Sequence, residues 1–239
     1  MIICITGIDG SGKTLQARLL VERLNAAGYP ACYAWTGGRA YLSRPLIWLA
    51  KRLLGAPRPA QQGAGQAPEA AAATRESYRA YLGATGRLFR RGWVRALWRQ
   101  VTLIEHCAEI LAVVLPQLLR GRIVVCDRYI YDSLIGIAVL AGTQPDELPA
   151  AMRLGPLYPV PRPALWLLLD VPAEVAFDRR ADVVDVEFLE RRAPLYRAAA
   201  AALGASVIDG EAPPHHVAAE VWRLVQPALP GQAPRRSVI

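Results

Sequence analysis

The stretch GIDGSGKT, from Gly7 to Thr14, holds the residues whose types and spacing are best suited to chemistry. It fits the pattern G-x-x-x-x-G-K-[ST], in which the backbone N–H groups of a glycine-rich loop face phosphate oxygens. Lys13 would reach the terminal phosphates of a nucleoside triphosphate, and the Thr14 hydroxyl would be a Mg²⁺ ligand. The residues of this predicted nucleotide site are Gly7, Asp9, Gly10, Ser11, Gly12, Lys13 and Thr14.

A second candidate pair, Asp127-Arg128, closes the apolar run Arg122–Asp127. A carboxylate in this place can hold Mg²⁺ directly or through water, and the arginine beside it can clamp another anionic group. The alternative is a helix N-cap aspartate followed by a surface arginine. A phosphate loop elsewhere in the same chain favours the magnesium interpretation.

Four arginines flank a short polar stretch near the C-terminal third of the chain. Phosphoryl transfer needs cations over the transferred group, and a mobile lid can supply them while excluding water. We therefore predict a lid over residues 178–192. A solvated helix face explains some of these arginines equally well. They are Arg179, Arg180, Arg191 and Arg192.

Short apolar runs alternate with helical patterns along the chain, which predicts βαβ units and a parallel sheet. The predicted strands are Ile2–Thr6, Tyr29–Trp35, Arg122–Asp127, Ala164–Val171 and Ala205–Gly210, and the first predicted helix is Thr14–Ala27. The fold class is thus α/β, with a five-stranded parallel sheet between helical layers. Ligands of such sheets bind at the carboxyl ends of the strands. The residues expected at that edge are Gly7, Trp35, Asp127 and Asp170.

The domain organisation follows from composition. We predict one domain over residues 1–229, with a low-complexity loop at 55–74 and a disordered tail at 230–239. We also predict an inserted basic helical segment at 75–100, so that the insertion as a whole covers about 56–100. It is followed by a long apolar helix from about Val101 to Leu119.

That helix approaches the length of a membrane span, but three ionisable residues and Pro116 interrupt it. A core helix explains it better. The basic, Trp-containing stretch 87–99 permits membrane contact, but a flap helix with apolar arginine stems is the favoured interpretation.

The overall composition indicates the charge of a binding partner but does not identify the partner. A net charge of +8 over 239 residues suits an anionic partner such as a nucleotide. The four cysteines show no metal-ligand spacing and are typical of a reducing compartment. The apolar run at the N-terminus is too short for an export signal, so we expect a cytoplasmic protein. We expect no nucleic-acid partner.

With these motifs in place, the chain resembles the thymidylate kinase family of P-loop nucleoside monophosphate kinases. The resemblance spans nearly the whole chain apart from residues 55–95. It rests on GIDGSGKT, CDRYIYDS, LWLLLDVPAEVAFDRR, FLERRAPLYRAAA and VIDGEAPPHHVAAEVWRLV. It implies a P-loop NTPase fold and transfer of phosphate from ATP, with Mg²⁺, to the acceptor, most simply from dTMP to dTDP. It also implies a homodimer.

The resemblance further implies roles for single residues. Asp9 is associated with the acceptor sugar, and Asp127 and Arg128 with the metal and the acceptor phosphate. Because Ser11 replaces a basic loop residue found in some members, the catalytic arginine is expected from the lid, as Arg179 or Arg180. The loop on the adenine side is expected at Gly210 and Glu211.

The acceptor half departs from the family pattern. Ala34 stands where an arginine for the acceptor phosphate is expected, before the retained Gly37 and Gly38, and Arg39 or Arg44 are the candidates to replace it. His106 occupies the position of an arginine that reads thymine, and Thr102 that of a stacking aromatic. Gly136-Ile137 replaces a Tyr-Gln pair near the base.

Two questions stay open at this point. His106 and Glu109, with Glu105, either line an altered acceptor pocket or pair with arginines structurally. The expected activity is phosphorylation of a nucleoside monophosphate, most simply dTMP. The alternatives are another phospho-acceptor, or a nucleotide-binding regulatory or membrane-associated protein with little turnover.

Overall fold

Five strands form one parallel sheet in the order β2-β3-β1-β4-β5. The computed structural model describes residues 1–37, 91–152, 160–179 and 186–231. The predicted loop at 55–74, most of the inserted segment, Arg39, Arg44, Arg180 and the end of the tail lie outside the described residues. The strands are β1 (Ile2–Thr6), β2 (Ala31–Trp35), β3 (Ile123–Asp127), β4 (Leu165–Asp170) and β5 (Ser206–Asp209).

The helices complete a three-layer α/β arrangement, which confirms the predicted fold class. They are α1 (Lys13–Ala26), α2 (Gly92–Val113), α3 (Leu115–Leu119), α4 (Ile130–Ala141), α5 (Leu148–Ala151), α6 (Ala173–Asp178), α7 (Val186–Leu203) and α8 (Pro214–Val225), followed by a 3₁₀ turn at Gln226–Ala228.

The alternation of side chains along each strand creates two separate cores. Ile3 and Ile5 of β1 pack in the core that includes residues of α1 and α8. Cys4 of the same strand belongs to the opposite core, together with residues of α2, α4 and α7. Because helices cover both faces of the sheet, the central strands are apolar along most of their length. They contribute polar residues to the candidate site only at their ends.

The strand register gathers the polar strand ends at one edge. In β1, Ile5 lies opposite Asp127 of β3, while Trp35 of β2 lies opposite the same aspartate. Asp170 of β4 lies opposite Asp209 of β5. The loop after β1 therefore lies at the same edge as Asp127, as the parallel connections predicted.

Helix α2 begins earlier than the sequence pattern indicated. It starts at Gly92 rather than near Val101, so that residues 92–100, predicted as part of the insertion, form the first turns of the core helix. It ends at Val113, and a separate short helix follows with Pro116 near its start. A proline cannot donate the hydrogen bond that a continuous helix needs at that point, which explains the break.

The stretch Gly92–Leu119 is long and apolar enough to cross a membrane, judged by length and composition alone. Within it, Leu103, His106 and Ile110 are buried against the rest of the domain. Trp93, Leu97 and Ile104 are exposed. A core helix of a soluble domain meets the same criterion, and the buried face fits that interpretation.

The cysteines lie mainly in the interior of the domain, whereas His215 and His216 lie at its surface. All four cysteines are free, and Cys4, Cys107 and Cys126 are buried. His215 and His216 are exposed at the start of α8.

A buried carboxylate, Asp132, joins three elements below the candidate site. Its Oδ1 accepts hydrogen bonds from the hydroxyls of Thr6 at 2.7 Å and Tyr196 at 2.9 Å. Its Oδ2 accepts the backbone N–H of Tyr129 at 2.9 Å. The end of β1, the start of α4 and the middle of α7 are thereby fixed to one charge.

We predict that Tyr196→Phe lowers the free energy of unfolding by about 1–3 kcal/mol, because a buried carboxylate loses one of its donors. Urea unfolding would measure the change. Tyr29→Phe is the matched control, since no described residue hydrogen-bonds the Tyr29 hydroxyl, and it should change the free energy by less than about 0.5 kcal/mol. Equal effects of the two substitutions would contradict the role of Asp132 as a junction.

Candidate active site

The loop between β1 and α1 is shaped by glycines that no other residue could replace without strain. Gly10 has φ +91°, and a Cβ there would collide with the carbonyl oxygen of Ala176. Gly7 has φ +146°, and its Cβ would lie 2.6 Å from the carbonyl oxygen of Leu169. Gly12 then caps the N-terminus of α1. The loop packs closely beside α6 and β4, and it places the helix N-terminus where an anion is favoured.

Lys13 is buried in this loop, and its ammonium donates a hydrogen bond of 2.6 Å to the carbonyl of Ile8. Burial, together with the nearby charge of Arg128, lowers the pKa of Lys13 to about 7, although neighbouring carboxylates oppose the change. The lysine is thus held close to the phosphate loop by a contact that a phosphate oxygen could replace.

Asp127 and Thr14 meet on the other side of the loop. The Thr14 hydroxyl donates a hydrogen bond of 2.6 Å to Asp127 Oδ2, and the Tyr33 hydroxyl donates one of 2.9 Å to the same oxygen. Among the described residues, none donates to Oδ1. A buried carboxylate with a free oxygen next to a hydroxyl is a hard oxygen donor set that fits Mg²⁺.

Tyr33 is a residue that the sequence reasoning missed. Burial, followed by its hydrogen bond to Asp127, raises the pKa of Tyr33 to about 12, so the hydroxyl remains a donor. No sequence motif predicts the contact between Tyr33 and Asp127, because it depends on how β2 is aligned with β3.

Asp9 lies between two arginines. Arg128 donates a hydrogen bond to Asp9 Oδ1, and Arg192 of α7 approaches Oδ2 at 3.4 Å. Burial alone would raise the pKa of Asp9, but Arg128, Lys13 and Arg192 outweigh it and lower the pKa to about 2. Asp9 is therefore ionised at neutral pH. The sequence reasoning counted Arg192 only among the lid arginines.

Arg128 has an unusual backbone conformation, with φ +74°. Its N–H donates to the carbonyl of Ile5 at 3.0 Å, and its own carbonyl accepts the Thr36 hydroxyl at 2.6 Å. A left-handed conformation is costly for an arginine and persists only where the surroundings hold it. Here it turns the side chain of Arg128 towards Asp9 while Asp127 faces Thr14.

The lid arginines take different positions. Arg179 donates hydrogen bonds to the carbonyls of Gly210 at 2.7 Å and Glu211 at 3.1 Å. It thus holds the loop that we expected beside adenine, and its catalytic role stays a prediction. Arg191 is exposed and paired with Glu187. Arg180 lies outside the described residues.

His106 is buried, and both of its ring nitrogens contact protein groups. Nε2 lies 2.6 Å from the carbonyl of Thr36, and Nδ1 lies 2.7 Å from the Ser133 hydroxyl. A carbonyl can only accept, so Nε2 carries the proton and Nδ1 accepts from Ser133. Burial lowers the pKa of His106, which favours this neutral form. Glu109 is buried one turn away.

The chain is similar to thymidylate kinases over almost its full length. It is 32% identical to the thymidylate kinase of Xanthomonas campestris pv. campestris (strain B100), over 96% of this chain and 84% of that protein. It is 29% identical to the thymidylate kinase of Synechococcus sp. (strain JA-2-3B'a(2-13)), over 96% of each chain. The thymidylate kinase of Thermomicrobium roseum is 29% identical over 93% of each chain. No protein-family model matches the chain.

The depressed pKa of Lys13 predicts a pH dependence of stability in the nucleotide-free protein. In the unfolded chain the pKa is 10.5, and in the folded chain it is about 7. Between these values the unfolded state binds the extra proton, so the contribution of Lys13 to stability increases with pH, by up to about 1.4 kcal/mol per pH unit. Urea unfolding of the wild type and Lys13→Met from pH 7 to 9.5 should therefore show a steeper rise for the wild type. Parallel curves would contradict a buried, easily deprotonated lysine.

Proposed function

The chain belongs to the thymidylate kinase family of nucleoside monophosphate kinases, and from this premise we propose that it transfers the γ-phosphoryl group of ATP to the 5′-phosphate of a nucleoside monophosphate. Thymidine monophosphate is the leading acceptor, because the relatives are thymidylate kinases over nearly the whole chain.

One observation carries the proposal. Asp9 lies inside the phosphate-binding loop, and it is ion-paired with Arg128, the residue that follows the candidate metal ligand Asp127. The loop that would hold the donor is therefore joined directly to the arginine assigned to the acceptor. A site for transfer between two phosphates requires this closeness of donor and acceptor groups.

In the proposed mechanism the protein positions the substrates and neutralises charge without a covalent intermediate. Lys13 leaves the Ile8 carbonyl and contacts the terminal phosphates of ATP. Arg128 binds the acceptor phosphate, while Asp9 orients the acceptor sugar. Arg179 keeps the loop at Gly210 and Glu211 in place beside the adenine.

Thr14 and Asp127 would hold Mg²⁺, which supplies neutralisation of the charge on the phosphate oxygens. Tyr33 fixes the Asp127 carboxylate by its hydrogen bond to Oδ2. The carboxylate is thus oriented before the nucleotide arrives.

A different acceptor is the second candidate, and His106 motivates it. The position expected to read thymine carries a histidine whose two nitrogens are engaged by Thr36 and Ser133. A base could hydrogen-bond His106 only by displacing one of these partners. Another base, or recognition by other residues, would account for the altered pattern at Thr102, Gly136 and Ile137.

We also propose a cytoplasmic homodimer. The support is the family resemblance and the exposed apolar side chains of Trp93, Leu97 and Ile104 on one stretch of α2. Sedimentation velocity of the purified protein would test this assembly, with a monomer at micromolar concentration as the contrary result.

We predict that a panel of nucleoside monophosphates and nucleosides, tested by coupled ADP release, contains dTMP among the best acceptors. Lys13→Met should lower kcat by about 10²–10³-fold, because a cation over the transferred phosphate is lost. Arg223→Met is the control, since Arg223 is exposed and paired with Glu220 on α8. Turnover of another monophosphate but not dTMP would favour the second candidate. No turnover with any acceptor would overturn the kinase proposal in favour of a nucleotide-binding regulatory protein.

A further inference from the structure

Arg192 is a largely buried arginine at the candidate site. Its side chain is 12% exposed. The guanidinium carbon lies 5.0 Å from the centroid of the Phe188 ring and 5.8 Å from that of Tyr196. Two aromatic rings on the same helix thus help to fix the position of this cation. An arginine held in this way is preorganised for a contact that no described residue completes.

Within the described part of the chain, most of the hydrogen-bond donors of Arg192 have no acceptor. Nη1 approaches Asp9 Oδ2 at 3.4 Å, which is long for a charge-assisted bond. Nε is buried, and no acceptor for it occurs among the described residues. A guanidinium has five N–H donors, and burying donors without acceptors is unfavourable. An anion that is rich in acceptor oxygens would satisfy these donors.

The neighbouring charges indicate what that anion is. Arg128 contacts Oδ1 of Asp9 and Arg192 approaches Oδ2, so that two guanidiniums bracket a single carboxylate. A phosphate monoester carries up to two negative charges and three free oxygens, and it would satisfy both arginines better than one carboxylate does. The chain also lacks the arginine expected at the position of Ala34, whose proposed partner was the acceptor phosphate.

We propose that Arg192 binds the 5′-phosphate of the acceptor together with Arg128, and so supplies the cation that Ala34 does not. This inference rests on the proposed function, because it takes the acceptor to be a monophosphate. It assigns α7 a part in acceptor recognition in addition to the part in a lid that the sequence predicts for residues 178–192. The competing explanation is that Arg192 serves only to anchor α7 to the phosphate loop through Asp9.

The test compares a site arginine with a surface arginine by isothermal titration calorimetry. Arg192→Met keeps an apolar stem over Phe188 and Tyr196 but removes the charge and the donors. Arg223→Met is the matched control, because Arg223 is exposed and pairs with Glu220 on α8, away from the candidate site. dTMP and thymidine are titrated into each variant, and a non-hydrolysable ATP analogue with Mg²⁺ is titrated separately.

We expect Arg192→Met to raise the Kd for dTMP by about 10–100-fold, the effect of losing a hydrogen bond to a charged group. The Kd for thymidine and for the ATP analogue should change by less than about threefold. Arg223→Met should leave all three values unchanged. Arg192→Lys, which keeps the charge without the fork, should give an intermediate Kd for dTMP, and it replaces Arg192→Met if that variant does not fold.

Other outcomes separate the explanations. Equal losses for dTMP and thymidine, or an unchanged Kd for dTMP with a lowered unfolding temperature, would mean that Arg192 only anchors α7. A loss confined to the ATP analogue would place Arg192 on the donor side and overturn the proposal. Wild-type turnover, measured in parallel, tests the proposed function itself. If the wild type turns over only another monophosphate, that nucleotide and its nucleoside replace dTMP and thymidine.

Discussion

Four charges of alternating sign, those of Asp132, Arg128, Asp9 and Arg192, cross the base of the candidate site, and the placement of the surrounding elements depends on them. Arg128 lies 3.7 Å from Asp132 on one side and pairs with Asp9 on the other. Removing charges from water is costly unless each is compensated by an opposite charge and by hydrogen bonds. The elements β1, α4 and α7 are therefore restricted to arrangements in which each of these charges stays next to a charge of opposite sign. In the free protein its formal charges cancel, and an incoming phosphate would compete with Asp9 for the two arginines.

The proposed donor side is organised by a different constraint, which is the space available to the backbone of the loop. The glycine loop must pass against the backbone of α6 and β4, as the collision of a Cβ at Gly10 with Ala176 demonstrates. Lys13 and Thr14 then follow at the start of α1. Asp127 and Arg128 are consecutive, yet the positive φ of Arg128 sends one side chain to Thr14 and the other to Asp9. One strand end thus serves both halves of the site.

Features encoded by local sequence could be predicted, and features decided by packing could not. The five strands were predicted to within one or two residues of their ends, because short apolar runs bounded by turns determine them. The loop from Gly7 to Thr14 was recognisable from its spacing alone. The start of α2 was missed, since the N-cap residue Arg91 makes no side-chain capping bond and the arginines around it resembled a separate segment. Tyr33 and Arg192 were not assigned to the site because strand register and the orientation of α7 bring them there.

His106, at the position where the family pattern has an arginine, also supports the backbone of Arg128. The Nε2–H of His106 is donated to the carbonyl of Thr36, and the hydroxyl of Thr36 is donated to the carbonyl of Arg128. Arg128 is the residue whose backbone conformation most needs support, and this chain of hydrogen bonds is part of that support. An arginine reaching out to a base could not make the same two short contacts to Thr36 and Ser133. The resemblance predicts an arginine at position 106 that contacts the acceptor base. His106 instead helps to fix Arg128, the residue expected at the acceptor phosphate. Under the proposed function, recognition of the acceptor would therefore depend on its phosphate and sugar more than on its base.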